Sequence, residues 1–369
     1  MPEFHTPSPS LPSSSALPIS VLAQIFSSRT NSYKFLFFIA LLERIQANNY
    51  ECTVPIPVSD LIAEMLVLAW YPHVYFKLSF GTQDKIADEL EKVSTASLGG
   101  KFKPSHREVV RRHIIKHAAP TALGRYVPFR LIRPFFPELT GIPDQKVDSA
   151  VRESATGSFD ERVPLYRFSS DETTISIHPL WCEYFRQNYV LVRDWANWNF
   201  LKYMQARNPL VPSLADKLFP PPERESLAAQ TKLWRMVVDE TDLHCIYTGA
   251  RLRDLPGWAL DHFVPWSFVV HDQMWNLIPV SGVANSAKSD RLPDRRYFDP
   301  FIAAQSQAVE YFATGCSEKQ RKDLIGEYRH ALKLTESFDS GVFQHNLKNT
   351  LESHFALAES LGFSSGWSI

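Results

Sequence analysis

The stretch WALDHFVP, residues 258–265, is the most informative part of this chain. It is a mostly apolar run typical of a β-strand, and it contains the charged pair Asp261 and His262. A second short strand is predicted at residues 275–279, and residues 281–290 follow with the composition of a helix. The predicted order is strand, loop, strand, helix, which can gather side chains from all three elements on one small surface.

The side chains gathered in this way suit the hydrolysis of a phosphodiester bond. Asp261 and Asn285 offer the oxygen ligands that a hard divalent cation prefers. The imidazole of His262 can accept the proton of an attacking water near neutral pH. Lys288 stands three residues after Asn285, so the two occupy neighbouring positions on the predicted helix. An Asp–His pair alone is a weak signal, because a buried structural histidine is the ordinary explanation; the whole set is more specific.

This spacing resembles that of the HNH, or ββα-metal, endonuclease family, and in particular the HNH domain of RNA-guided CRISPR effector nucleases. In this chain the residues that match the family pattern are Asp261, His262, Pro265, Asn276, Asn285 and Lys288. The stretch CIYTG, residues 245–249, is likewise typical of the strand and turn that open such domains. The resemblance covers residues 243–293, about one seventh of the chain.

The resemblance implies a role for each matching residue. His262 would be the general base that activates water, and Asp261 and Asn285 would hold one Mg²⁺ or Mn²⁺ ion. Asn276 would brace the loop between the strands and help to orient His262. Lys288 would contact a phosphate or the developing charge. The third signature position of the family is often His, and this chain has the accepted variant Asn285 there.

Structural zinc is not expected, although many members of the family bind it through two Cys-x-x-Cys pairs. Cys245 is followed three residues later by Thr248, and the next cysteine is Cys316. The four cysteines stand far apart, and the chain is large enough not to need a disulfide framework. A reducing, intracellular setting is therefore expected.

Composition is that of an ordinary folded protein, and it limits the possible partners. Its charged residues make up 21% and its hydrophobic residues 44%, which is typical of a folded soluble protein. The length of 369 residues predicts two or three domains. The net charge of −1 means that any affinity for DNA must come from local clusters of Lys and Arg. The most apolar stretches, residues 35–42 and 61–71, are shorter than the roughly 20 residues that span a bilayer, so no membrane partner is expected.

A basic run at residues 101–117 stands out in the region before the motif. It is rich in Lys, Arg and His, and its four apolar residues would form one buried side of a helix: Val109, Val110, Ile114 and Ile115. A solvated helix face is one explanation of the run. The other is a surface on which Arg111 and Arg112 contact phosphates or a regulatory partner.

Elsewhere the sequence predicts helices, one hairpin and one linker. The hairpin has its arms at residues 165–168 and 174–178, and the linker is the Pro-rich stretch 208–222. The helix predicted at residues 58–70 has Ser59 and Asp60 as candidates for its N-cap. The predicted helices lie at residues 33–46, 58–70, 83–93, 181–205, 223–240, 301–313, 318–335 and 343–361.

These patterns predict a mostly α protein with a small α+β (ββα-metal, HNH) nuclease core near its C-terminus. Four parts are expected along the chain. They are a disordered leader at residues 1–16, a helical recognition or regulatory region with the hairpin at 17–222, the HNH domain at 223–300, and C-terminal helices packed on the core at 301–369.

The predicted function is metal-dependent hydrolysis of DNA, with duplex DNA as the expected substrate. Lys288, Arg291 and Arg295 would contribute a few phosphate contacts from the core. Analogy at the level of the fold suggests bacterial restriction or anti-phage defence. Two alternatives remain open: a nuclease subunit that is silent until a protein or ligand binds the N-terminal region, and a catalytically inactive DNA-binding relative.

Overall fold

The computed structural model describes residues 11–27, 30–92, 107–117, 123–220, 224–315, 317–334 and 339–369. Residues 1–10 of the predicted leader and residues 101–106 of the basic run lie outside this set. The described chain divides into two compact units. The first unit comprises the described residues of Met1–Pro209 and Leu218–Glu223, and the second unit comprises those of Leu210–Lys217 and Arg224–Ile369.

The described chain is mostly α-helical, which confirms the predicted fold class. Its α-helices are α1 (Ile19–Leu22), α2 (Tyr33–Ala47), α3 (Val58–Trp70), α4 (Ile86–Lys92), α5 (Arg107–His117), α6 (Leu123–Ile132), α7 (Asp144–Gly157), α8 (Phe159–Arg162), α9 (Pro179–Arg207), α10 (Leu214–Leu218), α11 (Ala228–Glu240), α12 (Trp266–Val269), α13 (Gly282–Lys288), α14 (Phe298–Gly315), α15 (Glu318–Leu332) and α16 (Ser340–Ser360). Its strands are β1 (Ile56–Pro57), β2 (Tyr166–Phe168), β3 (Thr174–Ile177), β4 (Trp258–His262) and β5 (Leu277–Ser281).

Helix α2 lies at the centre of the first unit. Every side chain from Phe35 to Leu42 is buried, because apolar residues occupy all sides of this predicted helix. Helices α3 and α9 pack against it. The predicted caps of α3 are wrong: Pro57 occupies the N-cap, and Asp60 lies in the first turn, where it pairs with Arg44 at 3.3 Å.

The predicted hairpin is confirmed, and it belongs to a three-stranded sheet. Strands β2 and β3 are antiparallel, with Phe168 opposite Ile175, and β1 pairs with the other edge of β3. Strand β1 was not predicted, because two residues are too few to show an alternating pattern. Close to this sheet, Cys52 forms a disulfide with Cys182 of α9. The size of the chain and the expected reducing setting argued against a disulfide, but folding brings the Cα atoms of this pair to 6.4 Å across 130 residues of chain.

Two further expectations about the region before the motif are corrected. On α5, Val110 and Ile114 are buried, but Val109 and Ile115 are 41% and 49% exposed, so only half of the predicted apolar side packs inside. The predicted linker at residues 208–222 is partly folded, since it contains α10. Among the described residues, none of the helices combines the length and the apolar character that a membrane crossing requires.

The second unit is built around an antiparallel pair of strands followed directly by a helix. Strand β4 pairs with β5 from Trp258 opposite Ser281 to His262 opposite Leu277, and α13 begins at the next residue, Gly282. Phe263 follows the last residue of β4 and is fully buried. Its ring stacks on that of Phe301 of α14, with 4.1 Å between the ring centroids. Helices α14 and α16 therefore share one hydrophobic core with the strand pair.

Candidate active site

The end of β4 carries the two residues that the sequence singled out first. Asp261 is 3% exposed, and each of its carboxylate oxygens accepts a hydrogen bond. Tyr247 donates its hydroxyl to Oδ2 at 2.7 Å, and Lys288 donates its ammonium to Oδ1 at 2.9 Å. Lys288 also donates to the backbone oxygen of His262 at 2.7 Å. Asp261 is thus a carboxylate held rigidly from two sides.

Tyr247 reaches Asp261 from the turn that opens the domain. Gly249 closes this turn by donating its amide to Cys245 O at 2.8 Å, and its φ of +71° is one that glycine adopts readily. The Tyr247 ring packs edge-on against Trp367 with 4.9 Å between centroids. Burial, together with the charge of Asp261, raises the pKa of Tyr247 well above its ordinary value, so its hydroxyl remains a donor.

His262 lies on the other side of the strand end and contacts a second carboxylate. Its Nε2 is 2.6 Å from Oδ1 of Asp272, and its side chain is 10% exposed. Burial lowers the pKa of His262, and the hydrogen bond and charge of Asp272 oppose this without cancelling it. The ring is therefore neutral near pH 7, which is the form that can accept a proton.

Asp272 is itself flanked by a cation. The Arg224 guanidinium is 3.6 Å from Oδ1 of Asp272, and it lies over the ring of Trp266 at 4.1 Å from the centroid. Burial acts to raise the pKa of Asp272, but the hydrogen bond from His262 and the charge of Arg224 outweigh it, so the pKa is lowered. Asp272 is therefore ionised at neutral pH.

Asn276 holds the chain immediately after His262. Its side chain accepts from the backbone amide of Val264 at 2.8 Å and donates to the backbone oxygen of Val264 at 2.9 Å. Its own backbone oxygen accepts from Phe263 at 2.9 Å. Asn276 is completely buried, and its role in bracing the loop and orienting His262 stays a prediction.

Asp261 and Asn285 are the predicted metal ligands, and they come from neighbouring elements. Asn285 is half-buried on α13, with its Nδ2 3.5 Å from the backbone oxygen of Leu260. Among the described residues, no group of three or more His, Cys, Asp or Glu side chains is placed to hold a metal. A single carboxylate with an amide oxygen still fits Mg²⁺, which keeps several waters, and each Asp261 oxygen retains a lone pair beyond the bond it accepts.

The predicted phosphate-contacting residues of the second unit differ in their availability. The Lys288 ammonium is fully enclosed and faces Asp261, so it does not lie on the surface. Arg295 pairs with Glu352 and Glu359, which balance its charge. Arg291 is exposed and bonds only neutral oxygens among the described residues, including Lys288 O at 3.2 Å. Of the three residues, Arg291 is the one whose charge is available to an anion.

In the first unit, the described part of the basic run is only partly neutralised. Arg111 pairs with Glu64, with 3.2 Å between Nε and Oε2. Arg107, at the start of α5, bonds Glu64 as well as Glu43. Arg112 is 71% exposed, and its partner Glu108 is exposed too, so this pair contributes little. Arg112 is therefore more accessible to a polyanion than Arg111.

Sequence reasoning missed three residues of this site: Tyr247, Asp272 and Arg224. Tyr247 was part of a recognised turn, but nothing in the sequence showed that its hydroxyl meets Asp261. Asp272 lies in the loop between β4 and β5, ten residues after His262, and no periodic pattern fixes the path of a loop. The one signal for Asp272 was its residue type: it is a carboxylate in the loop that follows the strand carrying the candidate base, His262.

Comparison with known proteins identifies the same segment. Residues 245–294 match the family model described as HNH endonuclease. The matched segment contains the opening turn, β4, β5 and α13. No curated protein and no solved structure matches the chain. The predicted resemblance to this family is confirmed, while the closer likeness to CRISPR effector nucleases remains a prediction.

Proposed function

We propose, from the HNH endonuclease domain that residues 245–294 form, that this chain hydrolyses phosphodiester bonds in DNA. The observation that carries the proposal is the end of β4, where a fixed carboxylate, Asp261, is followed directly by the neutral imidazole of His262. HNH nucleases generally act with a divalent metal ion. Duplex DNA as substrate and Mg²⁺ or Mn²⁺ as the ion are part of the proposal.

In the proposed reaction, a water oxygen attacks the phosphorus and the bond from phosphorus to the 3′ oxygen breaks. The products are a 5′ phosphate and a 3′ hydroxyl. His262 takes the proton of the attacking water, and the departing oxygen is protonated by solvent. A divalent ion held by Asp261 and Asn285 would supply positive charge against the scissile phosphate and the departing oxygen. Lys288 and Tyr247 keep Asp261 in place for this purpose.

Replacement of the base tests the proposal most directly. We expect His262→Ala to reduce nicking of supercoiled plasmid by about 10²–10⁴-fold, because a positioned general base contributes that much to rate. His244→Ala is a matched control: His244 is an exposed histidine of the same unit that bonds the backbone oxygen of Asp242, and it should cleave like the wild type. Cleavage by His262→Ala at the rate of His244→Ala would contradict the proposal.

Metal exchange tests the ligand assignment. EDTA should stop cleavage, and Mg²⁺ or Mn²⁺ should restore it. Asp261→Asn should raise the metal concentration needed for half-maximal activity, because an amide is a weaker ligand than a carboxylate. Elemental analysis of the purified chain should find less than stoichiometric zinc, and one tightly held zinc per chain would contradict the assignment.

A regulated nuclease is a second candidate, favoured by a cavity of about 330 Å³ in the first unit. Small-molecule sites begin at roughly this size and are mostly apolar with a few polar groups. Here the walls include Leu68, Trp70 and Phe200 beside the charged side chains of Arg107 and Arg193.

A purified chain that cleaves plasmid without any addition would contradict regulation by a ligand. A chain that cleaves only with the small-molecule fraction of a cell extract would support it. In that case Leu68→Trp, which fills the cavity, should abolish the activation while the second unit stays folded.

By analogy with nucleases joined to recognition regions, we also propose a role inside the cell in restriction or anti-phage defence. The plating efficiency of phage on cells that express the wild type, compared with His262→Ala, tests this role. Equal plating on both strains across a broad phage panel would contradict it.

A further inference from the structure

We infer that Asp272 is a positioning residue for the general base. It holds His262 in the tautomer that carries its proton on Nε2, which leaves Nδ1 to take the proton from water. The inference rests on the proposed function, and it adds a residue that the family pattern and its spacing do not contain.

The tautomer follows from the hydrogen bond between the two side chains. Nε2 of His262 lies 2.6 Å from Oδ1 of Asp272. An ionised carboxylate has only acceptors, so the proton in this bond belongs to Nε2. A neutral imidazole has one N–H, and its lone pair is then on Nδ1. No hydrogen bond within the described parts of the chain engages Nδ1 of His262.

Asp272 is fixed independently of His262, as a positioning residue must be. Gln230 of α11 donates to its backbone oxygen at 3.4 Å, and the Arg224 guanidinium approaches its carboxylate at 3.6 Å. Two residues after Asp272, the backbone amide of Met274 donates a hydrogen bond to the Glu327 side chain of α15. Contacts from three separate segments therefore hold the loop that presents Asp272.

The same geometry assists the proton transfer itself. As the bond from water oxygen to phosphorus forms and the bond to the 3′ oxygen breaks, the water proton moves to Nδ1 while Nε2 keeps its own. His262 becomes an imidazolium at that moment. An ionised carboxylate 2.6 Å from Nε2 stabilises this cation, and Arg224 keeps the carboxylate in place.

A merely structural role for Asp272 would be to tie the loop to β4. Glu327→Gln is the matched acid-to-amide control, because Glu327 bonds the same loop at Met274, an amide oxygen can still accept that bond, and Glu327 has no hydrogen bond to His262 among the described residues. Substitutions at Asp272 should differ from it in two readouts: the turnover number kcat and the protonation pattern of the His262 ring.

The experiment compares Asp272→Asn, Asp272→Ala and Glu327→Gln in the full chain, with plasmid nicking in Mg²⁺ and ¹⁵N NMR of histidine-labelled protein. Asp272→Asn is nearly isosteric, but its amide can donate to Nε2 and so favour the tautomer with the proton on Nδ1. We expect kcat to fall by about 10²–10⁴-fold in both Asp272 variants, with KM within about threefold of the wild type. Glu327→Gln should keep kcat within about threefold.

The NMR measurement is independent of turnover. In the wild type the His262 signals should show a protonated Nε2 and an unprotonated Nδ1, and this pattern should be lost in Asp272→Asn. A wild-type ring protonated on Nδ1, or an unchanged kcat in a folded Asp272→Asn, would overturn the inference. If Asp272→Ala does not fold, the isosteric variant and the NMR pattern still decide.

Failure of this inference is distinguishable from failure of the proposed function. If His262→Ala cleaves like the wild type, the nuclease assignment itself fails. If His262→Ala is inactive while Asp272→Asn is fully active, the assignment stands and only the positioning role of Asp272 is wrong.

Discussion

Replacing Lys288 by Met removes an ammonium that has no contact with solvent and keeps an unbranched side chain in its place. The ammonium donates to Asp261 Oδ1 at 2.9 Å and to His262 O at 2.7 Å. Its loss leaves a carboxylate that is 3% exposed, with Tyr247 as its remaining donor among the described side chains. Breaking a buried ion pair from one side typically costs about 3–5 kcal/mol, so we expect a loss of stability of this size.

The free energy can be measured by hydrogen exchange in increasing urea, followed on peptides from β4 and α13. These peptides report on the second unit alone, which avoids assuming that a chain of two units unfolds in one step. Lys348→Met is the matched control, because Lys348 is 52% exposed and its ammonium lies 3.3 Å from Asp299. An exposed pair of this kind contributes about 0–1 kcal/mol.

The double variant Lys288→Met with Asp261→Asn separates the charge from the packing. Lys288→Met alone leaves the buried Asp261 carboxylate without its ion-pair partner. Asp261→Asn removes that charge, so the double variant should be more stable than Lys288→Met alone. If Lys288→Met is as stable as Lys348→Met but binds plasmid less tightly, the reasoning is refuted. Lys288 would then contact phosphate, as the family resemblance implied, and not hold Asp261.

Two further predictions concern stability. Lys217 is buried and donates to Phe268 O at 2.6 Å, and burial lowers its pKa to about 7. The unfolded chain binds the proton of the Lys217 ammonium more tightly than the folded chain does. The free energy of unfolding, measured by urea denaturation, should therefore rise by about 2 kcal/mol between pH 7 and pH 9. Parallel curves of stability against pH for the wild type and Lys217→Met would contradict this. Reduction of the Cys52–Cys182 disulfide, or Cys182→Ser, should lower the stability of the first unit by about 2–5 kcal/mol, because the cross-link spans 130 residues and restricts the unfolded chain. Superimposable urea curves with and without reductant would count against that pair.

The sequence alone determined the elements whose pattern is local. Helix α2 could be predicted because apolar side chains on all its faces require burial, whatever surrounds them. The strand, strand, helix order of the candidate site could be predicted because Asp261, Asn276 and Asn285 lie within one short, continuous segment, so their spacing is visible in the sequence. Burial on one side of α5 was only half right, because the packing of Val109 and Ile115 depends on neighbours that the helix pattern does not name.

The tertiary structure decided what the gathered side chains contact. The bond from Tyr247 to Asp261 spans 14 residues, and the one from Lys288 to Asp261 spans 27. The contact of His262 with Asp272 depends on the path of a loop, and the Cys52–Cys182 pair on the approach of two distant segments. Residue types and spacing show which groups are available for chemistry. Which donor meets which acceptor depends on distances and burial that arise only when segments far apart in the sequence pack together, because hydrogen bonds and ion pairs act over a few ångströms.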